Sequence, residues 1–397
     1  MHIAFVVQRY GTEILGGSEY HCRLIAERMA FRPGSGHAAQ HEVEVLTTCA
    51  RDYITWTNEY PEGVERINGV TVLRFANAET RDIEAFNRYS EWIFHNPHTP
   101  EDEMWWLEQQ GPWCPPLLEY LTDHAASYDA VIFFTYLYAP TVLGLRIAPE
   151  RSILVPTAHN EPAIHLDLYK DLFTRPKAIA FNTEVEKSFL KSTFDIRAAE
   201  ETVGCGVDLL ARDAAPTDAL RTELPAGPFL LYGGRIDAGK GCDQLLDFFQ
   251  TYKEQGGPAT LVLMGAKLMP LPDVPWVRYV GLLSEADRLR ALEAATIVVV
   301  PSPFESLSLL ALEGMAVGNP VLCNAHADVL VDHCTRSNAG LFYSTREEFV
   351  ECIHLLLADR DLRERMGRNG KAYVTANYSW NVIMAKYDAL MASLPKA

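Results

Sequence analysis

Two basic residues stand five positions apart in a glycine-rich turn. The turn, residues 233–241, reads GGRIDAGKG and follows the apolar run 229–232. A helical pattern begins at Asp243, so we expect Arg235 and Lys240 near a helix N-terminus, where backbone N–H groups and the helix dipole favour anions. The arrangement predicts a phosphate site, and an exposed turn with two solvated charges is the alternative.

The same turn fits the phosphate-binding pattern G-x-x-x-x-G-K of nucleoside triphosphatases over residues 234–240. The next residue is Gly241, where such an enzyme needs Ser or Thr to hold Mg²⁺. This departure argues against a Mg²⁺-dependent triphosphatase and leaves the anion chemistry of the turn.

Two acids follow another apolar run, residues 296–300. Glu305 stands where the run gives way to a helix. Glu313 comes eight residues later, about two turns along an apolar helix. An acid in such a helix is costly unless it is paired or bound. The two carboxylates suit hydrogen bonds to the hydroxyl groups of a sugar or a ribose, and a solvated helix position is the alternative for Glu313.

Metal and disulfide chemistry are not indicated. The Asp-x-Asp sequence at 359–361 lies in a charged helical stretch far from any strand end, which is typical of a solvated helix. The eight cysteines form no C-x-x-C pair and no zinc-like spacing. We therefore expect reduced, buried thiols and no metal site.

Apolar runs alternate with helical stretches along most of the chain, which is the pattern of parallel α/β sheets. The first series of strands is predicted at 3–7, 43–48, 70–75, 131–136, 153–157, 178–182 and 202–207. The second series is predicted at 229–233, 260–265, 277–281, 296–302, 320–324 and 339–343. An Ala-, Pro- and Asp-rich loop separates the two. We expect two doubly wound domains, 1–213 and 226–377, facing each other across a cleft, with a helix over 378–397 that returns to the first.

Residues 51–130, the Trp-rich segment, interrupt this alternation. The segment holds five of the seven tryptophans and 15 acids against 5 arginines. It therefore supplies −10 of the net charge of −17. We expect it to elaborate the first domain. Trp105 and Trp106 are candidates for stacking on an acceptor sugar, although core packing is the commoner role of tryptophan.

The acidic balance excludes some partners. Nucleic acid and anionic lipid are bound through Lys and Arg, so neither is an expected partner. The N-terminal apolar run is too short for a signal peptide, and no stretch approaches the ~18 apolar residues of a membrane span. We expect a cytoplasmic protein with at most peripheral membrane association.

The turn G-G-R-x₄-K-G, followed some sixty-five residues later by E-x₇-E, resembles the C-terminal domain of glycosyltransferase family 4 enzymes, which have the GT-B fold. The resemblance extends over most of the chain and is weakest in the Trp-rich segment. Gly16 and Gly17 are similar to the family's glycine-rich loop at the donor diphosphate. His159 matches a strand-end histidine that approaches the donor sugar.

The resemblance implies a role for each motif residue. Arg235 and Lys240, in the turn containing Gly234, would clamp the diphosphate of a nucleotide sugar. Glu305 would hold the transferred sugar and Glu313 the ribose. The backbone N–H groups of Ser308 and Leu309 would lie near the distal phosphate.

The implied activity is hexosyl transfer from a nucleotide sugar to a carbohydrate or other acceptor hydroxyl, with retention of configuration. No metal and no cofactor beyond the donor substrate is expected, and no general base is assigned. Many family members carry a G-G-x-P-E turn where this chain has AHAD at 325–328, so the sugar stays open.

Two alternatives remain open, and a third is excluded. A nucleotide-sugar 2-epimerase shares the architecture but lacks the paired R-x₄-K and E-x₇-E motifs. A nicotinamide oxidoreductase needs G-x-G-x-x-G after its first strand, and the sequence does not contain it. A catalytically silent nucleotide-sugar-binding relative would be recognised by the lack of product.

Overall fold

The computed structural model describes residues 1–14, 16–31, 41–208 and 223–395. The chain divides into two compact units. Unit 1 comprises Met1–Cys205 and Met384–Ala397, and unit 2 comprises Gly206–Ile383. The sequence predicted the first change of unit at 213–226 and the return at 378, so both changes differ from the prediction. Residues 209–222, which include the first part of the predicted linker, lie outside the described residues.

Unit 1 contains an eight-stranded sheet in the order β3-β4-β2-β1-β5-β6-β7-β8. Strands β1 to β8 are His2–Val6, Glu42–Thr48, Gly63–Ile67, Val70–Phe75, Ala130–Phe134, Ser152–Val155, Ala178–Phe181 and Ala199–Thr202. Among the described residues, only the β3–β4 pair is antiparallel. Strand β5 is buried along its whole length, as expected of a parallel sheet with both faces covered.

The helices of unit 1 include three from the Trp-rich segment. Helices α1 to α6 are Gly17–Ala30, Ile83–His95, Pro100–Gln110, Pro115–His124, Ala139–Ile147 and Glu184–Thr193. Short 3₁₀ turns are Ala125–Ser127, Pro149–Arg151, Pro162–His165, Asp167–Tyr169 and Leu172–Thr174. The Trp-rich segment also forms the β3–β4 hairpin. Asn68 and Gly69 turn it with φ of 49° and 87°, as a type I′ turn requires.

Several predicted strands have different bounds, and the structure explains two of them. The strand predicted at 131–136 ends at Phe134 because Thr135 has a φ of 69°, which an extended strand cannot contain. The strand predicted at 202–207 is instead Ala199–Thr202. Val203, Cys205 and Val207 are buried, so packing after the strand accounts for the apolar pattern that suggested pairing.

Unit 2 contains a six-stranded parallel sheet in the order β11-β10-β9-β12-β13-β14. Strands β9 to β14 are Phe229–Gly233, Thr260–Met264, Val277–Gly281, Ile297–Val300, Val321–Asn324 and Gly340–Tyr343. Helices α7 to α12 are Cys242–Glu254, Glu285–Ala294, Leu309–Val317, Asp328–Ser337, Arg346–Ala358 and Arg360–Tyr378, and Ala238–Lys240 is a 3₁₀ turn. Numbered within the unit, the order is 3-2-1-4-5-6, that of a doubly wound dinucleotide-binding sheet.

The chain passes from unit 1 to unit 2 earlier than the sequence predicted, because residues after Cys205 are hydrogen-bonded to residues near the end of unit 2. The Val207 backbone N–H donates to the Tyr378 carbonyl (2.9 Å), and Trp380 Nε1 donates to Asp208 (2.9 Å). A side chain on Gly206 would lie 2.3 Å from the Trp380 ring. The final helix, α13 (Trp380–Ala392), therefore begins in unit 2 and ends in unit 1.

Helix α1 carries a buried histidine, His21, against β5. Its ring meets Phe134 edge-on at 5.2 Å. Burial lowers the pKa of His21 to about 4, against the opposing effect of a hydrogen bond with the Gly204 backbone. The imidazole is therefore neutral in the folded protein at pH 7.

We expect the stability of unit 1 to fall on acidification partly through His21. Its unfolded pKa is about 6.5, so between pH ~6.5 and ~4 the unfolded chain binds more protons. Over this window wild type should lose up to about 1.4 kcal/mol per pH unit more than His21→Asn. Urea unfolding at pH 7, 6 and 5 measures the difference, and equal acid sensitivity of the two proteins would contradict it.

Candidate functional site

The predicted phosphate turn and the first of the two acids meet at one edge of the unit 2 sheet. Strands β9 and β12 are neighbours, and the strands that flank this pair are β10 and β13. The chain therefore leaves β9 and β12 in opposite directions, which opens a crevice beyond their carboxyl ends. Lys240 follows β9 and Glu305 follows β12, and Lys240 Nζ lies 2.8 Å from Glu305 Oε1.

The turn after β9 is fixed by its own side chains. The Tyr232 hydroxyl donates to the Arg235 carbonyl (2.6 Å). Asp237 accepts from the Lys240 backbone N–H (2.8 Å), and the same carboxylate group lies 3.4 Å from Arg235 Nε. Both predicted cations therefore face a carboxylate in this structure.

Gly241 shows why the turn departs from a triphosphatase motif. Its φ of 71° is left-handed, and a Cβ there would lie 2.4 Å from the Pro301 carbonyl oxygen. The Ser or Thr that holds Mg²⁺ in a triphosphatase cannot occupy this position without moving the chain after β12. Gly234, with a φ of 150°, also has a backbone conformation that favours glycine.

Glu313 is buried, and its partner was not among the residues predicted from the sequence. Only 7% of Glu313 is exposed, and Arg288 on α8 donates to its carboxylate. The expected cost of an acid in an apolar helix indicated that a partner should exist. The sequence could not say which residue it was, because Arg288 lies 25 positions away on another helix.

A buried histidine, His333, supports the segment between β12 and α9. Ser308 precedes α9 with a left-handed φ of 63°, which is uncommon for a residue with a side chain. His333 Nε2 donates to the carbonyl of Leu307 (2.8 Å), and its Nδ1 lies 3.0 Å from the Tyr373 hydroxyl. Burial lowers the pKa of His333, so this histidine is a neutral structural support.

In unit 1 the first β–α turn contains a buried ion pair. A side chain on Gly16 would lie 2.0 Å from Glu19 Oε2, whereas Gly17 faces open space. Arg9, directly beyond β1, donates to Glu19 Oε1 through Nε (2.9 Å) and Nη2 (2.5 Å). Burial alone would favour the neutral acid, but the Arg9 charge and hydrogen bonds lower the pKa of Glu19. Arg9 was not among the residues predicted from the sequence.

His159 lies in a strained region at the carboxyl ends of β5, β6 and β7. Thr135 and Thr157 have φ of 69° and 51°, and the Thr157 hydroxyl donates to that of Thr135 (3.0 Å). Positive φ is a real outlier for a β-branched residue, and such strain tends to occur at functional sites. Next to Thr157, the backbone N–H of Ala158 donates to buried Glu186 (2.5 Å). Burial raises the pKa of Glu186 to about 8.

Of the two tryptophans predicted as candidates for stacking on an acceptor sugar, one is buried. Trp106 is 2% exposed and its Nε1 donates to Ser90 (2.9 Å), so it belongs to the core of unit 1. Trp105 is 43% exposed and Trp92 is 40% exposed. Both indoles flank Tyr89, with ring centroids 4.3 and 5.3 Å away.

The Asp-x-Asp sequence has a structural role, because Asp359 caps α12 by accepting from the Leu362 backbone N–H (2.8 Å). In the described parts of the chain, no three His, Cys, Asp or Glu residues cluster as a metal site would require. No helix in those parts has the length and apolar character needed to cross a membrane.

Residues 221–373 match the family model for glycosyl transferases group 1, and this range lies within unit 2. The chain is 25% identical over 280 residues to trehalose synthase of Rubrobacter xylanophilus, covering 66% of this chain and 56% of that protein. It is 22% identical over 407 residues to glycogen synthase of Mycobacterium tuberculosis, covering 96% and 92%. The chain spans about half the length of the first relatives, 46%, 56% and 59%.

Solved structures of similar fold cover nearly the whole chain. Sucrose-phosphate synthase from Thermosynechococcus elongatus has a TM-score of 0.71 at 19% identity, covering 99% of this chain and 98% of the other. Anabaena HepE, solved in complex with UDP-glucose, has a TM-score of 0.70 at 16% identity, covering 99% and 100%. The predicted GT-B fold, with two Rossmann-like α/β domains, is confirmed.

The close approach of Gly241 to Pro301 can be tested by substitution. Gly241→Ser creates the missing triphosphatase residue, and we expect it to destabilise unit 2 by at least about 2 kcal/mol through left-handed strain and a backbone clash. Gly239→Ser is the matched control, because a Cβ at Gly239 meets only Asp237 Oδ1, at 3.4 Å. The measurement is the urea midpoint of unit 2. Equal midpoints for the two variants, or Mg²⁺-dependent ATP hydrolysis by Gly241→Ser, would contradict this account.

Proposed function

We propose that this chain transfers a hexosyl group from a nucleoside diphosphate sugar to an acceptor hydroxyl, with retention of configuration and without a metal ion. The observation that carries the proposal is the meeting of Lys240 and Glu305 at the crevice between β9 and β12. The group 1 glycosyltransferase match over the same unit supports it. So do the names of two similar proteins, a trehalose synthase and a glycogen synthase.

The proposal gives each side chain of the crevice a part in donor binding. Arg235 and Lys240 neutralise the diphosphate, and Glu305 accepts hydrogen bonds from hydroxyls of the transferred sugar. Glu313, held by Arg288, accepts from the ribose. The N–H groups of Ser308 and Leu309 lie at the N-terminus of α9. Backbone donors at a helix N-terminus and the helix dipole favour a phosphate oxygen there.

The chemistry builds charge where these groups are fixed. As the bond between the sugar carbon C1 and the phosphate oxygen breaks, negative charge grows on the departing diphosphate. Cations already in place stabilise that charge more in the transition state than in the ground state. In the proposed front-face reaction, the acceptor oxygen bonds to C1 on the side that the phosphate leaves, and the departing phosphate takes the acceptor proton. His159 contacts the donor sugar, and no protein base is assigned.

The metal-free part of the proposal rests on charge supplied by side chains. Glycosyltransferases that use Mg²⁺ or Mn²⁺ hold it with an Asp-x-Asp turn, and here that sequence caps a helix. Arg235 and Lys240 would take the place of the ion at the diphosphate.

The acceptor side of the proposal is limited to chemical class. The Trp-rich segment carries a net charge of 5 − 15 = −10, which would repel a polyanionic acceptor. We therefore propose a neutral or cationic carbohydrate or other hydroxyl-bearing acceptor, and no nucleic acid.

Donor binding and turnover test the proposal together. Thermal-shift measurements with UDP, GDP, ADP and dTDP sugars should identify one nucleotide that stabilises the protein, and that donor should release its nucleoside diphosphate. Lys240→Met removes a charged phosphate contact worth about 2–5 kcal/mol, so we expect turnover to fall tens- to thousandfold. Lys191→Met is the control, since Lys191 also pairs with a glutamate, at 2.7 Å. No response to any donor, or near-normal turnover by Lys240→Met, would overturn the assignment.

Turnover with a chelator tests metal independence. With the donor identified, we expect the initial rate in excess EDTA to match the untreated rate within about twofold, because fixed cations carry the stabilisation. Loss of activity that Mn²⁺ or Mg²⁺ restores would show that a metal ion takes part.

A further inference from the structure

The segment that carries His159 is fixed on both sides of the histidine. Before it, Thr157 has a left-handed backbone conformation, and its hydroxyl donates a hydrogen bond to that of Thr135. The Ala158 N–H donates a hydrogen bond to Glu186. After it, Glu161 accepts a hydrogen bond from the Tyr136 hydroxyl (2.6 Å). His159 is thus presented by a segment that has little freedom to move.

The second oxygen of Glu161 faces the histidine. Glu161 Oε2 lies 3.6 Å from His159 Nε2, and the two side chains are 25% and 30% exposed. The carboxylate therefore accepts a hydrogen bond from a buried tyrosine and lies close to a half-buried imidazole. Glu161 stands two residues after His159 in the sequence, but no sequence pattern predicts that Tyr136, just beyond the end of β5, donates to it.

Tyr136 is a rigid donor. It is 1% exposed, and its ring packs edge-on against Tyr169 at 5.0 Å. Burial, with the nearby Glu161 charge, raises the pKa of Tyr136 well above its ordinary value. The phenol therefore keeps its proton and donates to Glu161, which fixes one carboxylate oxygen and directs the other.

The structure does not use Glu161 as a helix cap. Glu161 precedes the 3₁₀ turn Pro162–His165, but its side chain makes no capping bond to that turn. The backbone anchor of the segment is Glu186, which accepts from the N–H groups of both Ala158 and Asn182 at 2.5 Å. The partly exposed Glu161 is thus placed beside the imidazole and is not needed to close the loop.

We propose that Glu161, held by Tyr136, is a positioning residue that orients the His159 ring and favours hydrogen on its Nε2. A carboxylate beside one ring nitrogen favours the N–H form at that nitrogen and so leaves the other as an acceptor. This inference rests on the proposed function, in which His159 contacts the donor sugar. Glu161 acts only through the ring.

A double-mutant cycle tests this dependence. Glu161→Gln should lower kcat by about ten- to a hundredfold, the usual cost of losing a group that orients a functional histidine, while donor KM changes less than about threefold. In the His159→Ala background the same substitution should change kcat by less than about twofold, because the group it orients is gone. Tyr136→Phe should have a smaller effect in the same direction, and Glu150→Gln, at an exposed glutamate (77% side-chain exposure), should have none.

The tautomer of His159 supplies a readout that needs no turnover. Long-range ¹H–¹⁵N spectra of the ligand-free protein, with His159→Ala for assignment, should show the Nε2–H form in wild type and a mixture in Glu161→Gln. Unchanged tautomers, full activity of Glu161→Gln, additive effects in the cycle, or unfolding of Glu161→Gln at 25 °C would each overturn the inference. Failure of the proposed function would look different, since wild type itself would then turn over no nucleotide sugar.

Discussion

The adjacency of β9 and β12 is the constraint on which the candidate site depends. The two strands are parallel neighbours. The chain continues from β9 to the strand on one side of the pair, β10, and from β12 to the strand on the other side, β13. Residues 65 positions apart, Lys240 and Glu305, are therefore brought within a hydrogen bond of each other. Without this strand order the glycine-rich turn would be an ordinary loop. The same order, 3-2-1-4-5-6, brings the segment after β9 close to the segment after β12. The two segments come so close at Gly241 and the Pro301 carbonyl that no side chain fits at Gly241.

The charges at this crevice are balanced within the protein itself. Lys240 faces Glu305, Arg235 faces Asp237, and Arg288 faces Glu313. A set of partly buried pairs holds long side chains in a defined geometry before any ligand arrives, and electrostatic catalysis depends on such preorganisation. A diphosphate would then meet cations already oriented. The chain's net charge of −17 does not oppose this, because most of it comes from the Trp-rich segment in unit 1.

Much of the fold and of the unit 2 site could be predicted because the relevant signals are local. Apolar runs mark the strands, and a glycine-rich turn with two cations marks the crevice. What could not be predicted depends on distant contacts. Arg288 could not be predicted as the partner of Glu313, because no sequence spacing relates residues on two different helices. The left-handed Thr135 and Thr157 carry no composition signal, since β-branched residues normally indicate strand. The first unit ends near Cys205 because Trp380, far along the chain, packs on Gly206, and no linker composition records that contact.

The two units support their candidate groups by the same physical means. In unit 2 a neutral, buried His333 bonds the Leu307 carbonyl beneath the segment that carries Glu305. In unit 1 a buried Glu186 bonds the Ala158 N–H beneath the segment that carries His159. Each support is a polar group that is costly to bury, and each lies beside a residue with a strained backbone in the segment that follows a strand, Ser308 in unit 2 and Thr157 in unit 1. Strain of this kind persists only where surrounding contacts over-determine the conformation. Buried polar supports beneath strained segments are therefore what lets a parallel sheet hold side chains rigidly beyond the ends of its strands.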